Sequence, residues 1–330
     1  MKKLLNDVDD LLRQSLDGFG AAHGDLVEIH HEPTFATRKV ALPAGQVALI
    51  SGGGSGHEPL HAGFVGSGML AAACPGEVFT SPTPDQMLAA AQAVDSGAGV
   101  LFIVKNYAGD VMNFEMAAEM YTGASATVLV NDDVAVEDSS FTTGRRGVAG
   151  TVIVEKIVGA AAAGGADLST CTKLGERVNG ATRSMGLALT SCTVPAAGTP
   201  TFTLAENEIE MGVGIHGEPG RRRIALAPAA TLAKDMMDAI LSETPVANGG
   251  PVLLLVNGFG GTPLMELYLM YAHAARLCAD HGLKVVRSHV GNVTTSLEMQ
   301  GCSFTVTALD DDMIGLWDAP VHTAALRWGC

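Results

Sequence analysis

Val47-Ala48-Leu49-Ile50-Ser51-Gly52-Gly53-Gly54-Ser55-Gly56-His57 passes from a short apolar run straight into a glycine-rich one. The first part reads as a buried strand and the second as a tight turn at its carboxyl end, where open α/β folds place their ligands. Working outward, the same alternation repeats. Residues 84–94 have helical spacing with Pro84 in the first turn. Residues 99–104 form a second apolar strand ending in Lys105-Asn106-Tyr107-Ala108-Gly109-Asp110, and a helix over 111–121 follows with Asp110 as N-cap. A third strand covers 127–130 and a long helix 148–163. After about residue 183 the pattern restarts, with strands over 208–215, 251–256, 283–286 and 302–309 and a helix over 227–241. The best helix of this half spans 262–281, with Thr262 as N-cap, Pro263 at the first position and Gly282 closing it. The expected class is therefore α/β, as two α/β lobes, each a mixed or parallel sheet flanked by helices. Residues 1–183 make the N-terminal lobe with the glycine-rich loop, and 184–330 the C-terminal lobe. The stretches 47–60 and 252–264 echo each other, as either duplication or convergent turn chemistry.

Composition narrows the function classes. The 330 residues are 47% hydrophobic and 17% charged, which excludes a disordered chain. Lysine and arginine total 20 against 35 aspartates and glutamates, a net −15, and no basic run exceeds Arg221-Arg222-Arg223, so a nucleic-acid surface is not expected. Asp7, Asp9 and Asp10 interrupt any signal-peptide core after Met1. The most apolar long stretch, 148–166, carries Glu155 and Lys156 in its middle, so no membrane span is expected. Six scattered cysteines without a C-x-x-C pair point to reduced thiols and a cytoplasmic location.

Three stretches can carry chemistry. The glycine run lacks the glycine a dinucleotide fingerprint or a nucleophile elbow needs where His57 stands, and it lacks the lysine of a P-loop. It reads as a glycine turn presenting His57, or as a plain tight turn with a surface histidine. Lys105 and Asp110 follow another strand. Asp110 can accept a proton from a hydroxyl or simply cap a helix, and Lys105 can hold a carbonyl or hydroxyl oxygen. His216, within Gly212-Val213-Gly214-Ile215-His216-Gly217-Glu218-Pro219-Gly220, is sterically open; a neutral imidazole there can be nucleophile, base or metal ligand. No third acidic ligand accompanies His57 and His216, and the runs at 131–133 and 310–312 read as turn residues, so no metal site is expected.

The stretches 51–59, 73–85, 104–110, 131–136, 144–149, 212–220 and 316–322, in this order, resemble the dihydroxyacetone kinase family, and above all its dihydroxyacetone-binding subunits of the phosphotransferase-dependent type. The resemblance covers nearly the whole chain. It implies that His216 adds through its distal ring nitrogen to the C2 carbonyl of dihydroxyacetone as a hemiaminal. Gly54, Ser55, Gly56, His57, Lys105 and Asp110 would hold the substrate hydroxyls, with His57 and Asp110 the candidates for general base. It implies a helical ADP-binding kinase subunit as partner, recharged from phosphoenolpyruvate through a phosphotransferase-system phosphoryl donor protein, and a homodimer. Relatives that use ATP directly carry a second, helical nucleotide domain, whereas here two residues follow Trp328. ADP or ATP with magnesium is thus expected on the partner, and no cofactor on this chain. A four-carbon ketose such as erythrulose, or a role as ketose-binding transcriptional coactivator, are the alternative implications.

Overall fold

The computed structural model describes residues 2–135, 144–218 and 220–330. Met1, Val136 and Pro219, which enter the sequence readings above, lie outside the described residues. The chain begins with α1 (Leu11–Ala22), the hairpin β1 (Val27–His31) and β2 (Thr34–Arg38), β3 (Ala48–Ser55), β4 (Gly66–Ser67) and β5 (Ala72–Val78). There follow α2 (Pro84–Val94), β6 (Val100–Lys105), α3 (Ala108–Met120), β7 (Ser125–Val130), α4 (Gly150–Ala163) and α5 (Leu168–Gly180). The remainder is β8 (Thr182–Ala188), β9 (Glu208–Met211), β10 (Arg222–Ala225), α6 (Ala229–Leu241), β11 (Pro251–Gly258) and α7 (Leu264–Asp280). It closes with β12 (Lys284–Gly291), β13 (Gly301–Ala308), α8 (Asp311–Asp318), β14 (Val321–Thr323) and β15 (Arg327–Trp328).

Two six-stranded mixed sheets result, in the orders β1-β2-β5-β3-β6-β7 and β10-β9-β8-β13-β11-β12. In the first, β5, β3, β6 and β7 are parallel neighbours, as the alternation of apolar runs and helices demands. From β3 the chain crosses to β5 on one side, then returns to β6 on the other. The carboxyl ends of β3 and β6 therefore splay apart around a crevice. Alternate residues of each central strand face opposite layers: Leu49, Leu101, Ile103, Leu253 and Leu255 share one core with α4 and α5. Ile50, Phe102 and Val104 face α2 and α3, while Leu254 and Val256 face α6 and α7.

That shared core explains the apolar stretch around Glu155. Helix α4 is buried from Gly150 to Ala162 because both sheets and α8 surround it, not because it spans a membrane. Among the described residues no helix is long and apolar enough to cross one. The last residues return to the N-terminal half, where β15, β14 and β4 form a separate three-stranded sheet.

Several local expectations are corrected. Strand β3 continues through the glycine run to Ser55, so what read as a turn is buried strand. Helix α3 starts at Ala108 with Tyr107 in the cap position, which puts Asp110 in its first turn rather than at the N-cap. Helix α7 starts at Leu264 after Pro263; the Thr262 hydroxyl instead exchanges hydrogen bonds with the Gly301 backbone. Strand β9 ends at Met211, so His216 lies beyond it. Gly282 does close α7, at φ 75°. The hairpin β1–β2 and strands β5, β8 and β10, outside the expected strands, complete the two six-stranded sheets.

Asp132 joins the two halves. Fully buried, it accepts the Val148 and Gly150 amides, both at 2.8 Å, and the Ser184 hydroxyl of β8 at 2.5 Å. Asp132→Ala would leave all three donors without their acceptor, and should lower the unfolding free energy by about 3 kcal/mol. The readout is a lower urea midpoint at unchanged slope; a loss under about 0.5 kcal/mol, the level of a surface substitution, would contradict it.

Candidate functional site

The site lies at the splayed ends of β3 and β6, closed by loops of the second sheet. Beyond Ser51, β3 no longer pairs with β6, so the Gly52 carbonyl needs another donor. Lys105, the last residue of β6 and 1% exposed, supplies it: Nζ donates to Gly52 O at 3.0 Å. This is why Gly53 carries no side chain, since a Cβ there would stand 2.3 Å from Nζ. Asp110 Oδ2 lies 3.7 Å from the same ammonium, while Oδ1 is buried with no hydrogen-bond partner among the described residues. Burial pulls the Lys105 pKa down, and the charges of Asp110 and Glu155 oppose it.

The other glycine-run residues serve differently from one another. Gly54 packs against the backbone of Phe79 and Thr80, too close for any side chain. The Ser55 hydroxyl donates to Gly76 O at 2.7 Å, across to β5. The Gly56 amide donates to both carboxylate oxygens of Glu58 at 3.1 Å, so it is already occupied as an anion donor.

His57 follows directly and is 1% exposed, not the surface histidine of a plain turn. Its Nδ1 lies 2.7 Å from Thr295 O. A carbonyl can only accept, so the ring carries its proton on Nδ1. Nε2 is thereby a bare lone pair, buried and without a hydrogen-bond partner among the described residues. Burial, then the neighbouring His216 and Lys105, push the His57 pKa well below the usual imidazole range. It stays a neutral base.

His216 arrives from beyond β9, in the second half. Its ring meets His57 edge-on at 4.8 Å, Phe79 at 5.2 Å and Tyr107 at 4.8 Å between centroids, and His57 stacks on Phe79 at 4.9 Å. Four rings thus pack against one another around His216. Glu218 accepts the His216 backbone amide at 2.9 Å and faces Nδ1 at 3.2 Å. Burial would raise its pKa, but His216 and Arg146 outweigh that and hold Glu218 at about 2. It is a carboxylate, so Nδ1 of His216 donates to it. Arg146, fully buried, braces this loop by binding Asp133 at 2.8 Å and Gly212 O at 2.7 Å. A Cβ on Gly214 would collide with Glu218 and Arg146, which fixes glycine there.

The structure therefore brings Gly54, His57, Lys105, Asp110 and His216 around one crevice from both sheets. Sequence reasoning did not assign Glu218, although it stands two residues after His216. It also missed Thr295, Phe79, Tyr107 and the buried pair His61 and Glu155. Thr295 carries no local signal, being 238 residues from the ring it orients. Within the acidic runs, Asp132 and Asp133 are held as above, and Asp310 is the N-cap of α8 with Arg177 beside it. Among the described residues no group of three histidine, cysteine or acidic side chains is arranged to hold a metal ion.

Comparison with known proteins identifies the family. The Dak1 domain model matches residues 17–325. The chain is 48% identical over its full length, and the relative's, to the PEP-dependent dihydroxyacetone kinase, dihydroxyacetone-binding subunit DhaK, of Escherichia coli. It is 50% identical, over 98% of this chain and 100% of the relative, to the corresponding subunit of PTS-dependent dihydroxyacetone kinase 1 of Listeria innocua. Among solved structures, the dihydroxyacetone kinase operon co-activator Dha-DhaQ superimposes with a TM-score of 0.89 at 33% identity, covering 97% of this chain and 98% of that one. With a family domain over most of its length and close relatives end to end, this chain belongs to the dihydroxyacetone kinase family.

Proposed function

We propose that this chain is the dihydroxyacetone-binding subunit of a phosphotransferase-dependent kinase, capturing the ketose on His216 and presenting a hydroxyl for phosphorylation by a nucleotide-carrying partner. One observation carries the reading: two imidazoles from the two halves of the chain, each donating from Nδ1, meet ring against ring beside Lys105 and Asp110. In the proposed step the Nε2 lone pair of His216 forms a bond to C2 of the ketose. The carbonyl π electrons move to oxygen, which takes up a proton from solvent. The ring becomes cationic as the bond forms, and the Glu218 carboxylate at Nδ1 offsets that charge. His57 then accepts the proton of the hydroxyl that receives phosphate, since its Nε2 has no competing partner. Lys105 and Asp110 orient the oxygens, with backbone from Gly54 to Gly56 beside them.

A triose offers little surface for tight binding, so a covalent bond fixes it before phosphoryl transfer and rejects glycerol, which has no carbonyl. The proposal includes a helical ADP-binding partner, indirect supply from phosphoenolpyruvate through a phosphotransferase protein, a homodimer and a cytoplasmic location. Full-length identity to kinase subunits of 48–50% against 33% for the co-activator supports catalysis over a sensing role.

Intact-protein mass spectrometry with dihydroxyacetone should show an adduct that vanishes in His216→Ala; an unchanged adduct would remove His216 from the mechanism. Asp110→Asn should keep that adduct while turnover with partner subunits falls about 100-fold or more. Turnover with erythrulose but not dihydroxyacetone would reassign the substrate, and none with either would favour the sensor.

A further inference from the structure

Behind the substrate-facing groups lies a second set of buried titratable side chains. Glu155, in the middle of α4, is fully buried, and His61, between β3 and β4, is 6% exposed. His61 Nδ1 lies 2.7 Å from Glu155 Oε1, and its Nε2 lies 2.8 Å from Lys105 Nζ. Burial raises the Glu155 pKa to about 8 against the opposing charge of Lys105, and once it ionises its oxygen accepts, so Nδ1 carries the proton. An ammonium can only donate, so Nε2 must be the lone pair that receives it. With Glu155 ionised and Lys105 an ammonium, the two contacts call for one and the same tautomer. They also account for the Lys105 donors: one N–H goes to His61 Nε2 and a second to Gly52 O at 3.0 Å. Tetrahedral geometry then fixes the third, whose nearest anion is Asp110 Oδ2 at 3.7 Å.

Building on the function proposed above, we propose that Glu155 and His61 are positioning residues for Lys105, holding it as an ammonium ion with one N–H committed to Asp110 and the substrate oxygen beside it. A lysine this deeply buried tends to shed its proton, and a neutral amine would neither stabilise an oxyanion nor keep Asp110 in place. The groups facing Lys105 are Asp110 from α3, Glu155 from α4, and the two histidines His57 and His61. Burial keeps both histidines neutral, with the Lys105 charge acting in the same direction, so the two carboxylates alone offset the ammonium. Removing the Glu155 charge lets the Lys105 pKa fall further, and the ammonium is then lost at lower pH. The chain of contacts ends at Lys105 and does not reach His216, so capture of the ketose and its subsequent phosphorylation should respond differently.

The test uses the full chain with its partner subunits and compares wild type, Glu155→Gln, His61→Gln and His61→Leu. Adduct on His216 should stay at the wild-type level in all three variants, while kcat falls about tenfold to a hundredfold in His61→Leu. His61→Gln, whose amide oxygen can still accept from the ammonium, should recover part of that loss. In Glu155→Gln the alkaline limb of the turnover profile should move down by about one pH unit. An alkaline limb unmoved in Glu155→Gln, together with wild-type kcat in both His61 variants, overturns the assignment. A wild-type chain that forms no adduct and no product overturns the kinase reading instead. A third readout needs no variant: long-range 1H–15N spectra of the wild-type protein should show His61 protonated on Nδ1 and bare at Nε2, and a proton residing on Nε2 overturns the proposal.

Discussion

The short seam between residues 56–58 and 295–297 sets the geometry on which the site depends. Leu297 donates its amide to Gly56 O at 2.8 Å, Thr295 its amide to His57 O at 3.2 Å, and the Thr295 hydroxyl bonds Glu58 O at 2.9 Å. The His57 ring completes the set by donating to Thr295 O. A handful of neutral hydrogen bonds contributes only about 1 kcal/mol each to stability. Their effect on chemistry is larger, because they determine which nitrogen of His57 is bare and where it points. A tautomer selected by a residue 238 positions away makes the second sheet a participant in the base, not merely its neighbour.

The same logic governs the buried charges. Lys105, Asp110, Asp133, Arg146, Glu155 and Glu218 are all at most 5% exposed, and an isolated ion at such depth is prohibitively expensive. All but Glu155 have a partner of opposite charge within reach; Glu155 meets the neutral His61 instead, and burial raises its pKa to about 8. Arg146 serves Asp133 and the Gly212 carbonyl at once, so the loop bearing His216 is moored by a charge it cannot lose without stranding Asp133. Such networks add less to net stability than apolar packing of equal volume, but they admit one arrangement only. For a site whose chemistry depends on which atom holds a proton, that uniqueness is the useful property.

Much of this was legible in the sequence, for identifiable reasons. Apolar runs at 47–50, 99–104 and 251–256 are central strands because both their faces are covered, and Pro84 and Gly282 mark helix ends through their fixed or left-handed backbone. The glycine run misled locally, since glycine at Gly53 serves the approach of Lys105 rather than a turn. Asp110 misled similarly: two earlier residues could enter the helix, and α3 took them. Of the residues quoted for the resemblance, His57, Lys105, Asp110 and His216 converge, whereas the groups that set their protonation were hidden. Glu218 was visible but unassigned, and Glu155 read only as an interruption of an apolar helix. Contacts such as His57 to Thr295 or His61 to Glu155 join residues far apart in sequence, where no periodicity or spacing can signal them.

An apolar helix carrying one acidic residue at its centre is the natural way to place a charge behind a strand end. Helix α4 runs beneath the first sheet, sealed by both sheets, and its apolar surface excludes the water that would otherwise screen Glu155. A carboxylate in that setting acts strongly on the nearest cation, because the effective dielectric constant is low and no counterion competes. His61 is the only spacer the distance needs: it turns a charge pair that would not touch into two hydrogen bonds of 2.7 and 2.8 Å. Replacing Glu155 by an apolar residue would improve the packing of α4 by ordinary criteria and leave Lys105 facing a single carboxylate. The presence of a buried acid where a leucine would fold as well is what ties the core of the protein to the crevice above it.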